Sequence, residues 1–381
     1  MGRKTKDLSL LDGESIKPFL EAIKSPVTRE VYQRRLVTFL ERANTNADTF
    51  VTKAKKTPLW AQELVLKYLL SENERALRNE IENSSVRNVL KPVRVLLDMN
   101  DVVGINWKKI SRMLPSARRY ALDRAPTVQE LRLLASNAET RFQAILLTMA
   151  SGGIRIGAWE YLNWGDVEPI LKDGRVIAAK LAVYRGEPEE YVTFITPEAY
   201  SKLEQYINLR AEHGEKIAKD SPLIRDRWQA TARGSYEGEI LRPKRLQPSG
   251  IKRLFEDMLW KFGLRKEKKR RHEFSIHSIR KFFKTRAEQV MRPINVETLM
   301  GHSTGISDSY YRPTEKELLE DYLKAVPLLS ISEAEEMKRV VQVDEQRNAE
   351  KIRRLESLVE ELVAAKAQQA LVLDRNRTSG T

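Results

Sequence analysis

The chain has no cysteine in 381 residues. That excludes disulfides, thiolate metal sites and a cysteine nucleophile. Histidine is nearly as scarce, with four residues, and none falls at zinc-ligand spacing. No glycine-rich P-loop is found. No run of 18 apolar residues occurs, so no membrane span is expected. The first 20 residues carry no apolar core resembling a secretion signal. The expectation is a soluble intracellular chain.

Positive charge, by contrast, is abundant. The net charge is +14 with a pI near 9.7, and 31% of residues are charged. Residues 331–381 hold 9 Lys/Arg against 10 Asp/Glu, net −1, which leaves +15 on residues 1–330. The basic surface therefore belongs to the body of the protein. It favours a polyanionic partner, nucleic acid before an acidic membrane. A hydrophobic share of 41% is enough for packed cores, and the length suggests two or three domains.

Residues 1–14 are polar and read as a flexible N-terminus. Residues 15–118 read as a helical domain of four or five helices. There Val86, Val89, Leu90, Val93, Leu96 and Leu97 recur at helical spacing, while Arg87, Lys91 and Arg94 fall mostly on the other side. Residues 119–127 read as a linker, ending at Thr127, which forms a capping box with Glu130. Residues 128–329 read as a larger, mostly helical domain with one β-hairpin, residues 176–184 and 191–195, around the turn Arg185-Gly-Glu-Pro-Glu189. In residues 330–381, Ile352, Leu355, Val359 and Leu362 lie at a/d spacing, which fits a lone amphipathic helix or a coiled coil equally well. The expected fold class is mainly α with a small β-hairpin or sheet.

Five residues suggest chemistry. Arg155 stands in Gly153-Ile-Arg-Ile156, then come His277-Ser-Ile-Arg280, Gly301-His302, and Tyr311 nine residues later. Two guanidiniums suit the non-bridging oxygens of a phosphodiester, because they stay charged and offer planar paired donors. The glycines beside Arg155 would let backbone approach that phosphate. His277 and Arg280 would share a face of a helix. A phenol with a pKa near 10 becomes a nucleophile once its proton is taken, and His277 or His302 could take it. Tyr310 is adjacent to Tyr311, and the spacing from His302 favours Tyr311.

In these motifs, residues 128–325 resemble the catalytic domain of the tyrosine recombinase (phage integrase) family. Residues 15–118 resemble its helical core-binding domain. The segment Met300-Gly-His-Ser-Thr-Gly-Ile-Ser-Asp-Ser-Tyr-Tyr-Arg-Pro313 is similar to integrases of archaeal mobile elements. The resemblance implies a clamp on double-stranded DNA attachment sites, a 3′-phosphotyrosyl intermediate, a Holliday junction, and a homo-tetramer on paired sites from a chain that is a monomer when free. It implies no metal or nucleotide cofactor, no membrane partner, and a cytoplasmic, nucleoid-associated location. By this match Arg155, His277, Arg280 and His302 are catalytic and Tyr311 is the nucleophile. A hairpin lysine in the family protonates the leaving 5′-oxygen. Counting back from Val192-Thr-Phe-Ile195 puts Arg185 in its place, with Lys180 upstream, and the acid stays open between the two. The family's acidic residue three places after the first arginine is Ala158 here, with Glu160 nearby. A helix over residues 316–325 is implied to dock on a neighbouring subunit.

Other basic groups suit phosphate contacts or a solvated face. They are Arg87, Lys91 and Arg94 in the first domain, and Lys252, Arg253, Lys266, Lys268, Lys269, Arg270 and Arg271 in the second. Arg242, Lys244, Arg245 and Arg265 extend that region. Trp159 and Trp164 read as core. Two rival readings share the fold: a DNA-binding protein that no longer cuts, motivated by Ala158 and the absent hairpin lysine, and a topoisomerase-like enzyme.

Overall fold

The computed structural model describes residues 7–116, 124–226, 244–267, 272–303, 305, 310–332, 347–348, 350–355 and 357–358. Lys268, Lys269, Arg270, Arg271, Val359 and Leu362 lie outside these residues. The chain divides into two compact units, Met1–Ala121 and Leu122–Thr381.

The first unit is helical. After a short 3-10 turn at Leu8–Leu11 come α1 (Ile16–Glu21), α2 (Pro26–Ala43), α3 (Ala47–Lys56), α4 (Pro58–Leu77), α5 (Asn83–Asp98) and α6 (Trp107–Arg112). Local chemistry sets the breaks. Asn44 ends α2 in the left-handed conformation, and the Asn46 side chain caps α3. Phe39 packs edge-on against Phe50 and Tyr68, with centroids 5.1 and 5.2 Å away. On α5, Val86, Leu90, Val93, Leu96 and Leu97 are buried while Arg87, Lys91 and Arg94 face solvent.

The second unit opens with α7 (Val128–Ser136), where both hydrogen bonds of the Thr127–Glu130 capping box are made. The largely buried α8 (Thr140–Gly152) follows, then two short 3-10 turns, Ile156–Glu160 and Trp164–Asp166. Next is an antiparallel sheet in the order β1 (Val167–Lys172), β2 (Arg175–Val183), β3 (Tyr191–Ile195). The remaining helices are α9 (Pro197–Glu212), α10 (Pro248–Lys261), α11 (Ile276–Ala287), α12 (Pro293–Leu299) and α13 (Glu315–Leu329). Residues 350–355 are also helical, with Ile352 and Leu355 exposed.

β1 is one strand more than the hairpin expected from the sequence. It is an edge strand with an exposed outer face and Pro169, so hydrophobic alternation does not reveal it. Its signal is Asp173-Gly174, both at positive φ (50° and 73°), a two-residue turn that pairs Lys172 with Arg175. The helix foreseen at residues 316–325 forms as α13, but its apolar face is spent within its own unit. Leu318, Tyr322, Ala325 and Leu329 are buried, and the Tyr322 hydroxyl donates to the Ser151 carbonyl at 3.0 Å. This apolar face therefore packs within its own unit. Trp159 is buried and Trp164 stacks on Tyr200, as core residues do. No helix among the described residues is long and apolar enough to cross a membrane.

Candidate active site

Two glycines shape the centre of the second unit. Gly153 ends α8 at φ +61°, and a Cβ there would lie 2.3 Å from the Phe283 ring. Its neighbour Gly152 packs on Ile195 and Phe194. The glycines before Arg155 thus serve helix termination and packing, a different use from the approach to phosphate expected from the sequence. Gly301, also at φ +61°, ends α12, and a Cβ there would lie 2.5 Å from the Tyr191 ring. The N–H of Gly301 bonds to the Thr298 carbonyl and that of His302 to the Glu297 carbonyl, at 2.9 and 3.0 Å. This pair of bonds is a Schellman motif.

The two turns are tied together by arginines. Arg280, on α11, is 4% exposed. It donates to the carbonyls of Gly153 and Met300 and, at 2.7 Å, to His302 Nε2. Arg155 donates to the Gly301 carbonyl at 3.0 Å. Burial lowers the Arg280 pKa, Tyr191 opposes that and Arg155 adds to it. A guanidinium starts so high that the charge is kept at neutral pH. Burial raises the phenols of Tyr184 and Tyr191 despite both arginines. The Tyr191 hydroxyl is buried beside the Arg280 guanidinium, which acts to lower it.

Charge pairing separates Arg280 from the other buried arginines. Buried Arg210 and Arg225 share Glu215, Arg265 pairs with Glu256, and Arg141 with Glu139. Among the described residues neither Arg155 nor Arg280 meets a carboxylate. A buried cation facing only carbonyls and a neutral ring is incompletely compensated, and an anion completes it.

His302 is oriented from both sides. Arg280 can only donate, so Nε2 accepts, and the ring proton of the neutral imidazole lies on Nδ1 facing Glu297. The other Glu297 oxygen bonds to Lys284, which also pairs with Glu288 at 3.2 Å. Burial would raise the Glu297 carboxyl, but Lys284 and His302 outweigh it and hold it low.

Tyr311 lies apart from this cluster. Its hydroxyl donates to Asn295 Oδ1 at 2.7 Å, and among the described residues it bonds to no arginine or histidine. Asn295 is 3% exposed, and its Nδ2 donates to Asp321 Oδ2 at 2.8 Å, which fixes Oδ1 toward the phenol. Tyr311 and Asn295 line a cavity of about 380 Å³ with Arg292, Arg312 and Lys324. Tyr310 is 87% exposed. His277 is exposed on the first turn of α11, whereas Arg280 one turn on is buried.

Both hairpin cations are paired. Lys180 Nζ contacts both Glu315 oxygens at 2.8 Å, and the Arg185 Nε contacts buried Asp166 at 2.8 Å. Ala158 is buried, and exposed Glu160 lines a cavity of about 370 Å³ with Arg155, Tyr161 and Tyr184. Of the outer basic groups, Arg87, Lys91, Lys252, Arg253 and Lys266 are exposed. Arg94 is exposed but engaged by Asp98 at 3.2 Å and by Trp107. Arg265 and Arg245 turn inward, Arg245 to Asn163 at 2.6 Å. Sequence reasoning missed Tyr184, Tyr191, Asn295, Lys284 and Glu297. Only Glu297 leaves a readable signal, a carboxylate five residues before a histidine that follows a helix-ending glycine.

No family model matches the sequence, and no curated protein matches it. Solved structures do. One is the Tn1549 transposon integrase in complex with transposon right end DNA, with a TM-score of 0.51 and 13% identity over 81% of this chain and 98% of that one. Another is a lambda integrase dimer bound to a COC′ core site, with a TM-score of 0.50 and 14% identity over 80% and 97%. The mainly helical second unit with its small antiparallel sheet and the helical first unit together have the fold of the tyrosine recombinases.

Proposed function

We propose that this chain is a site-specific DNA recombinase that cuts and rejoins double-stranded DNA through a 3′-phosphotyrosyl link, without metal or ATP. The observation that carries this reading is the pair Arg155 and Arg280, two guanidiniums held together by backbone carbonyls and, among the described residues, met by no carboxylate. A phosphodiester is the anion whose charge and planar oxygen pairs match them.

In the proposed reaction Tyr311 leaves Asn295 and its oxygen attacks the phosphorus. The P–O bond to the tyrosine forms and the P–O5′ bond breaks. The phenolic proton passes to His302 Nε2 once Arg280 turns its donor to the phosphate. The 5′-oxygen takes a proton from Lys180. Of the two hairpin cations only an ammonium gives up a proton readily, and this assigns Arg185 to charge and DNA contact. The ester link stores the bond for religation. Arg87 and Lys91 of the first unit and Lys252, Arg253 and Lys266 of the second would neutralise flanking phosphates. Recombination would assemble four copies on two paired sites.

The contact of Tyr311 with Asn295 favours one rival, a DNA-binding protein of the same fold that does not cut. A pool of nicked suicide duplexes of random sequence, incubated with the protein in EDTA and run on a denaturing gel, separates the two. A covalent band lost in Tyr311→Phe, with native-gel binding kept, supports the recombinase. Binding without any covalent band supports the rival.

A further inference from the structure

The Schellman turn that ends α12 joins residue 297 to residue 302 by a backbone hydrogen bond and brings their side chains side by side. That place is ordinarily filled by an apolar contact. Here it holds a carboxylate and an imidazole, with Glu297 Oε2 on His302 Nδ1. The pair is embedded in a chain of charges. Arg280 on α11 faces Nε2, Glu297 faces Nδ1, and Lys284, also on α11, holds the second Glu297 oxygen with Glu288 behind it. Arg155 bonds to the Gly301 carbonyl and the Tyr191 ring of β3 covers Gly301.

We propose that Glu297 is the positioning residue of this site, fixing His302 with its proton on Nδ1 so that the Nε2 lone pair is presented to the reacting phenol. This rests on the recombinase reading for its consequence, but the tautomer itself does not. The chemistry requires a carboxylate. Lys284 needs an acceptor, and so does His302 Nδ1–H. A carboxylate offers two oxygens, whereas a carboxamide has one and would leave either the ammonium or the ring facing an N–H. When Nε2 takes the phenolic proton, Nδ1 keeps its own. The resulting imidazolium then faces a negative group at once, with no reorganisation. The sequence could place an acid near the first arginine only at Glu160, which is exposed beside Arg155 and makes no hydrogen bond to His302 among the described residues.

The test uses the full chain with ¹⁵N-labelled histidine. Long-range ¹H–¹⁵N spectra distinguish a protonated Nδ1 from a protonated Nε2, and His302→Gln assigns the signal among four histidines. The wild type should show His302 with a protonated Nδ1 and a bare Nε2. Because Arg280 also donates to Nε2, the contribution of residue 297 is read in an Arg280→Ala background, where Glu297→Gln should lose that pattern and Glu297→Asp should partly restore it. In single-turnover capture of nicked duplexes, Glu297→Gln should be slower by roughly 10- to 100-fold, the range for losing the carboxylate partner of a metal-bound histidine, with native-gel binding unchanged. An unchanged tautomer on Glu297→Gln in that background, or wild-type capture by Glu297→Gln alone, would overturn the proposal. Should the wild type capture no DNA, the recombinase reading falls, and the tautomer alone decides whether Glu297 sets the ring.

Discussion

Replacing Asn295 by Ala should speed strand capture. The structure holds the candidate nucleophile by one hydrogen bond, from the Tyr311 hydroxyl to Asn295 Oδ1 at 2.7 Å. The amide cannot flip away, because its Nδ2 donates to Asp321. A hydrogen bond of this kind is worth about 0.5–1.5 kcal/mol net, so its loss shifts the ratio of held to released phenol by about 2- to 13-fold at 1.36 kcal/mol per decade. With the held state dominant, single-turnover capture should accelerate by the same factor. The fold should survive, since Asp321 keeps the Arg292 N–H at 3.0 Å and Lys324 at 2.8 Å. The assay is capture of nicked duplexes at saturating protein, with a native-gel titration to show unchanged binding and a urea melt to show an intact fold. Slower capture with binding intact would mean that Asn295 belongs to the working arrangement. An unchanged rate would mean the contact holds nothing back. Either result refutes the reasoning.

Other substitutions probe separate parts of the account. Gly153→Ala should cost about 2–5 kcal/mol in urea unfolding, because it adds strain at φ +61° to a clash with Phe283; a change under 1 kcal/mol would contradict that geometry. Burial raises the Asp321 carboxyl, but Lys324, Asn295 and the Arg292 N–H outweigh this and hold it below the usual aspartate range. Its stabilisation is therefore present above the unfolded value of about 4 and lost as pH falls through the lower folded value. Urea midpoints of Asp321→Asn should show a shallower loss than wild type below pH 4. Arg87→Ala should weaken DNA binding and reduce the salt slope of log K by about one. Arg94→Ala should do less, because Asp98 and Trp107 already engage that side chain.

What could be read from the sequence follows the range of the forces involved. Helix α5 was legible because burial of Val86, Leu90, Val93, Leu96 and Leu97 imposes a period on the chain itself. The cap at Thr127 was legible because its bonds span three residues. The pair β2–β3 was legible from two β-prone runs around a turn. Strand β1 was not, because an edge strand exposed on most of both faces has little apolar alternation to show, and the turn Asp173-Gly174 was the better clue. Composition could not say which way a basic side chain points, so Arg265 and Arg245 read as surface charge although they are tied inward to Glu256 and Asn163. The meeting of Arg155, Arg280 and His302 is a tertiary fact, visible beforehand only through the family resemblance. The hold of Asn295 on Tyr311 had no local signature at all, since sixteen residues separate them.

The central claim is that Tyr311 attacks DNA at the site built around Arg155 and Arg280. Covalent capture tests it most directly: purified wild type, Tyr311→Phe and Tyr310→Phe are each incubated in EDTA with nicked duplexes and resolved on a denaturing gel. The wild type and Tyr310→Phe should each give a protein–DNA band and Tyr311→Phe none, with equal native-gel binding by all three. A covalent band that persists in Tyr311→Phe would contradict it.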